Sequence, residues 1–254
     1  MGYWDSGGSL YLELPWGLYY VDYPPPTQPR LDRVPKNLYR GRTTQVLHTL
    51  VLEPDRDWKV SDLAESADVS LYTAHQVLDH LEKQLWVDKS GRGPQTVRRL
   101  TQPGKLLDDW ASRHQITDYQ VYRFHRLIRG LAAQESALFG LLEQASICEE
   151  WALTLEHGAQ RVAPFVHHVP AAMVAIVPAD IPWAEVAPAA GFRSVDEGEN
   201  FVFLASKERT PFLGRMKFDN AWVASPIQLY IDLFAWPRRG REQARHLRSQ
   251  VLGF

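Results

Sequence analysis

The residues of this 254-residue chain whose types suggest chemistry are mainly cations, gathered at two places. Lys89, Arg92, Arg98 and Arg99 flank the turn Gly91-Arg92-Gly93-Pro94, and no acid follows Asp88 in that stretch. Such a group suits phosphate neutralisation or insertion into a minor groove. Arg238, Arg239, Arg241, Arg245 and Arg248 face one acid, Glu242, between Pro237 and Phe254. On a helix, Arg241, Arg245 and Arg248 share a face at i, i+4 and i+7. That face is either solvated, with favourable charge near a helix C-terminus, or a second surface for phosphate or an acidic partner.

Other chemistry is thinly represented. His167 and His168 are adjacent near a strand start, with His157 ten residues earlier. Neighbouring residues of a strand point to opposite faces, so the pair does not suit one metal ion. Cys148 precedes Glu149 and Glu150, but no histidine is fixed beside it, and a lone cysteine suits a small buried hydrophobe. There is no P-loop and no GxGxxG. Nothing stands at catalytic spacing, and neither an enzyme nor a cofactor is expected.

Composition narrows the class. Hydrophobic residues make up 45% and charged residues 23%, which are globular values. A formal net charge of −2 excludes nucleic-acid binding by bulk charge alone but not by a local basic patch. One cysteine excludes an intramolecular disulfide and fits a reducing compartment. The longest apolar run, Val169 to Ala179, is about half a membrane span and is interrupted by Pro170 and Pro178. The first residues carry no signal-peptide pattern. A soluble cytoplasmic protein without membrane contact is expected.

The elements that must position the cations follow from periodicity. SLYLELPWGLYYVD reads as two strands joined by a type I turn, and PPPTQP, Pro24 to Pro29, as an extended spacer. Val46, Leu47, Leu50 and Val51 mark a first helix, ended by Pro54; Val60, Leu63, Ala64 and Ala67 mark a second. Lys59 stands where a capping Ser or Thr is expected, unless the helix starts at Ser61. Ser70 caps a third helix whose inward stripe is Ala74, Val77, Leu78 and Leu81. Leu85-Trp86-Val87 then reads as a strand and Gln95 to Leu100 as its return. Three helices and a hairpin in this order predict a winged helix-turn-helix. The outer face of the third helix carries Leu71, Tyr72, Thr73, His75, Gln76, Asp79, His80 and Lys83. In such a module, residues near the helix start reach base edges, so Ser70, Leu71, Tyr72, Thr73, His75, Gln76 and His80 join Lys89, Arg92, Arg98 and Arg99 as candidate contacts to double-stranded DNA. The alternative is a protein–protein module with a solvated surface; acids and bases cancel between Arg40 and Leu100.

Beyond this module, Leu131 to Gln144 and Glu149 to Ala159 read as helices, and Ala172 to Val177 and Phe201 to Leu204 as buried strands. Ser225-Pro226 starts a helix through IQLYIDLFAW, and a last helix covers about Arg241 to Val251. Trp86, Trp151, Tyr230 and Trp236 fall on apolar stripes. The expected fold class is α+β: a β-hairpin and linker over 1–37, a winged helix over 38–113, and a mixed α/β domain over 118–254.

The winged helix followed by WALTLEHGAQRVAPF, AAMVAIV, GENFVFL and VASPIQLYIDLFAWPRRGREQARHLR resembles the AbiEi-like antitoxin and transcriptional-regulator family of type IV toxin–antitoxin systems. SPIQLYIDL with the Arg239 to Arg241 turn is the most specific element. The resemblance implies a bacterial DNA-binding regulator that represses its own operon and, in toxin–antitoxin members, counters a nucleotidyltransferase-type toxin. A homodimer on an inverted repeat is the expected binding form. Larger members carry a nuclease-like domain that ends in a segment like GYWDSGGSLYLELPWGLYYVD, so Met1 stands at the end of that region; the expectation is a short member or a truncated one.

Overall fold

The structure, a computed structural model, describes residues 2–4, 10–21, 37–165, 172–237 and 239–254. The spacer Pro24 to Pro29, His167, His168 and Arg238 lie outside the described residues. The chain divides into two units, Met1–Lys36 and Asn37–Phe254.

In the first unit, β1 (Gly2–Trp4), β2 (Leu10–Leu14) and β3 (Gly17–Val21) form an antiparallel sheet in sequence order. The expected pair of strands is present, with Leu14 opposite Gly17 across the Pro15-Trp16 turn, and β1 adds a third. Leu12, Leu14, Leu18, Tyr19 and Tyr20 are exposed.

The second unit begins with α1 (Arg42–Leu52), α2 (Val60–Ser66) and α3 (Leu71–Lys83), followed by the hairpin β4 (Val87–Ser90) and β5 (Val97–Leu100). The inward stripe of α3, Ala74, Val77, Leu78 and Leu81, is fully buried. α2 starts at Val60 with Lys59 as an N-cap that supplies no side-chain bond. The expected strand at Leu85-Trp86 does not form. Instead Trp86 N–H bonds Leu81 C=O and Leu85 N–H bonds Glu82 C=O, both 3.0 Å, with Leu85 at φ 59. This is a Schellman closure with leucine in the left-handed position normally given to glycine. The same pattern, with Asp68 at φ 51, ends α2. An apolar run that looked like a strand is therefore a helix stop, and pairing begins one residue later, at Val87.

α4 (Pro103–Arg113) leads into a mixed sheet built from β6 (Gln120–His125), β7 (Ala152–Leu153), β8 (Met173–Pro178), β9 (Arg193–Ser194), β10 (Phe201–Ser206), β11 (Met216–Phe218) and β12 (Ala221–Val223). The strand order is β11-β12-β7-β8-β10-β6-β9. β8 and β10 are parallel neighbours at its centre, and almost every side chain in them is buried, as apolar strands covered on both faces require. α5 (Leu131–Gln144) spans the range expected for it. The helix expected over Glu149 to Ala159 is instead β7 followed by α6 (Leu155–Val162), because Ala152 and Leu153 pair with β8 before Thr154 turns the chain. α7 (Trp183–Ala189) precedes β9.

α8 (Pro226–Ala235) is capped by Ser225, whose Oγ accepts from Gln228 N–H at 3.1 Å. It is apolar around most of its circumference and contacts α4, α6 and α9 (Gly240–Leu247). The last helix is thus shorter than expected and passes into a π-helical turn, Arg248–Leu252. Trp151 and Tyr230 are core residues, and Trp86 and Trp236 pack on the core half-buried. Cys148 departs from expectation: it is exposed, beyond the end of α5. The described residues are α+β, and α1 touches both α4 and α8, so the helical start of this unit packs directly on the sheet-bearing remainder.

Candidate nucleic-acid interface

α3 begins at a side-chain cap. Ser70 Oγ accepts from Thr73 N–H at 3.1 Å and lies 2.9 Å from Thr73 Oγ1, so these two hydroxyls are occupied with each other and with the helix start. Just beyond it, Leu71 and Tyr72 are 60% and 62% exposed. His75 is exposed and Gln76 half-buried, and Gln76 Nε2 donates to Tyr72 Oη at 2.7 Å. This i, i+4 bond orients both side chains before any ligand arrives. His80 is half-buried on the α4 side; burial, then Lys83, push its pKa down against the pull of Asp109.

The hairpin cations are not equivalent. Alternation along β5 turns Arg98 and Leu100 inward and Arg99 outward. Arg98 is only 6% exposed; its Nε donates to Glu82 Oε2 at 3.2 Å, and its backbone exchanges two 2.8 Å bonds with Trp58. The expectation that Arg98 is an available cation is corrected: it fastens the hairpin to α3 and to the segment before α2. Arg99 makes two 2.9 Å bonds to Asp57, which raises its pKa, yet it stays half-exposed. Lys89 lies 3.8 Å from Glu82. Arg92 is exposed and has no ion pair among the described residues. A cleft of about 340 Å³ runs between α3, the start of α2 and the hairpin, lined by Lys59, Ser61, His75 and Lys89. Lys59, read from sequence only as a poor helix cap, is the basic residue that reading missed.

The C-terminal arginines divide in a similar way. Arg239 pairs with Glu242 at 3.0 Å, Arg241 lies over the Phe234 ring, and Arg245 is exposed. Arg248 is paired rather than free. Its Nη1 donates to Asp108 of α4 at 2.6 Å, and its guanidinium lies over the Tyr230 ring. Arg248 N–H still bonds Ala244 C=O, so α-helical spacing holds through Arg248 and the π-helical turn begins only there.

The motif SPIQLYIDL has another role. Asp232 is fully buried and accepts from Thr154 Oγ1 at 2.7 Å, Gln228 Nε2 at 2.8 Å and Tyr119 Oη at 2.9 Å. His114 Nε2 is 3.1 Å away. Burial and the Asp232 charge push the Tyr119 pKa well above its ordinary value. Ser225, the cap of the same helix, meets His48 Nε2 of α1 at 2.8 Å. The polar letters of the motif therefore tie α1, α4, α6 and the approach to β6 onto α8. Among the described residues no group of three or more His, Cys, Asp or Glu side chains converges for a metal ion, and no helix is long and apolar enough to cross a membrane. His157 is buried, which lowers its pKa.

The arrangement is an exposed helix start beside a basic cleft, carried on a large α+β body. A family model described as transcriptional regulator, AbiEi antitoxin, type IV TA system matches residues 99–253, and the chain belongs to that family. No curated protein and no solved structure matches it. The matched span covers the body and leaves α1 to α3 outside.

Proposed function

We propose that the chain is a sequence-specific, double-stranded-DNA-binding transcriptional regulator acting in the cytoplasm as a repressor of its own operon. The region 38–113 is read as its winged helix-turn-helix, 1–37 as a preceding hairpin and linker, and 118–254 as the effector body. The observation that carries the proposal is the exposed start of α3, Leu71 and Tyr72, set beside the cleft of Lys59, His75 and Lys89. Leu71 suits a thymine methyl, and Gln76, oriented by Tyr72, suits adenine N6 and N7. Lys59, Lys89, Arg92 and Arg99 supply phosphate contacts that position without specifying. A homodimer places two α3 helices one helical turn apart on an inverted repeat. The test is binding to the chain's own upstream DNA against a scrambled duplex, at low and physiological salt. Preference for the upstream duplex with a two-fold footprint supports the reading; equal, weak binding to both at low salt only removes it.

A second reading, antitoxin action against a nucleotidyltransferase-type toxin, is favoured by the position of the family match on the body. It predicts that expression of residues 99–254 alone, or of the whole chain with Tyr72→Ala, rescues growth when a neighbouring toxin gene of that type is induced. Loss of rescue with both, despite normal expression, argues against it.

A further inference from the structure

A cavity of about 420 Å³ lies where α1 and α4 meet the carboxyl ends of the parallel strands β8 and β10. Crevices at that end of parallel strands are the usual ligand positions in open sheets. The deeper polar groups of its wall are already occupied: Tyr119 and Gln228 by Asp232, and Thr44 and Thr210 by each other at 2.6 Å. Capacity remains at the mouth. Arg40 spends one Nη on Asp118 at 2.6 Å and keeps its other N–H donors. Lys207 is exposed and has no ion pair among the described residues. Glu208 accepts Gly41 N–H through Oε1 at 2.8 Å and keeps Oε2. Trp110, Ala205, Pro211 and Ile231 make a buried apolar wall.

Two cations with open donors and one open carboxylate oxygen beside an apolar wall fit a carboxylate and an ammonium on one small molecule. A ligand with only an anion would present it to Glu208 unpaired, and one with only a cation would meet Arg40 and Lys207. We propose that this cavity binds a free L-amino acid. Its carboxylate lies on Arg40 and Lys207, its ammonium on Glu208, and its side chain against Trp110 and Ile231.

The loop that lines the cavity also reaches the helices of the proposed reader. Glu208 holds the start of α1, Thr210 holds Thr44, and Arg209 pairs with Asp68 in the α2–α3 connection. A ligand drawing on Glu208 therefore acts on the bonds that seat α1, and its consequence for DNA rests on the reading above.

The test is calorimetric titration of the intact chain with each of the twenty L-amino acids, then with the decarboxylated amine and the N-acetyl form of any that bind. Saturable binding by at least one amino acid is expected, weakened tenfold or more in both analogues. Lys207→Ala, at an exposed site, is expected to weaken it tenfold or more with the melting temperature of the unliganded chain unchanged. Absence of binding by all twenty at roughly millimolar concentration, equal binding by an analogue, or full binding by Lys207→Ala overturns the proposal. The titration contains no DNA, so it decides the cavity even if the chain proves not to bind DNA. Gel shifts with and without the ligand then read the coupling.

Discussion

His48 Nε2 of α1 lies 2.8 Å from Ser225 Oγ, the cap of α8, so one hydrogen bond links the first helix of the compact unit to the start of α8. The imidazole is 1% exposed, and burial lowers its pKa from 6.5 to about 4. The unfolded chain therefore takes up the proton first as pH falls. Stability from this group is full above about pH 6.5 and is lost as pH falls toward 4, by about 3 kcal/mol in all. Urea midpoints measured across this range are expected to fall more steeply for the native chain than for His48→Gln. Parallel profiles would show that His48 is not buried neutral.

Asp232 is the acceptor on which Thr154, Gln228 and Tyr119 converge. Removing it strands three buried donors. Asp232→Ala is expected to cost about 3–5 kcal/mol in chemical denaturation, with Tyr119→Phe costing roughly 1–2. A loss below about 1 kcal/mol for Asp232→Ala would mean that water or neighbouring groups replace the carboxylate.

Arg98 and Arg92 occupy the same hairpin with opposite roles. Arg98→Ala removes the buried partner of Glu82 and is expected to lower stability by roughly 1–3 kcal/mol, seen in thermal melts without DNA. Arg92→Ala is expected to leave the melting temperature unchanged and to reduce the slope of log K against log salt by about one. If the two variants behave alike in both assays, the distinction between fastener and free cation is wrong.

Base reading, if it resides at the start of α3, separates from phosphate contact. Tyr72→Ala and Gln76→Ala are each expected to reduce discrimination between operator and scrambled DNA by about 1–3 kcal/mol while leaving the salt slope intact. Competition binding at fixed salt measures this. A uniform loss on both duplexes would move these residues to the backbone-contacting group.

Local sequence was enough for the elements whose signals are local. The α3 cap at Ser70 and its stripe from Ala74 to Leu81, the Ser225-Pro226 start of α8, α5, and the apolar strands β8 and β10 all follow from caps and periodicity over a single element. The exposed positions of α3, Leu71, Tyr72 and His75, were equally legible, because a helix with a defined inward stripe leaves only one other side. What tertiary structure decided was how each polar or charged side chain is used. Arg98 and Arg92 are both arginines beside a turn, and only the pairing of β5 with Trp58 and the position of Glu82 make one a fastener. Arg248 and Arg245 belong to one helix, and only the position of Asp108 on α4 makes Arg248 a paired cation while Arg245 stays exposed. Asp232 and Gln228 read as ordinary letters of a helix, and Ser225 only as its cap, until residues more than a hundred positions away, Tyr119 and His48, close on them. Leu85 and Leu153 were misplaced for the same reason: whether a short apolar run stops a helix or joins a sheet depends on which backbone groups are within reach, and distant parts of the chain supply them.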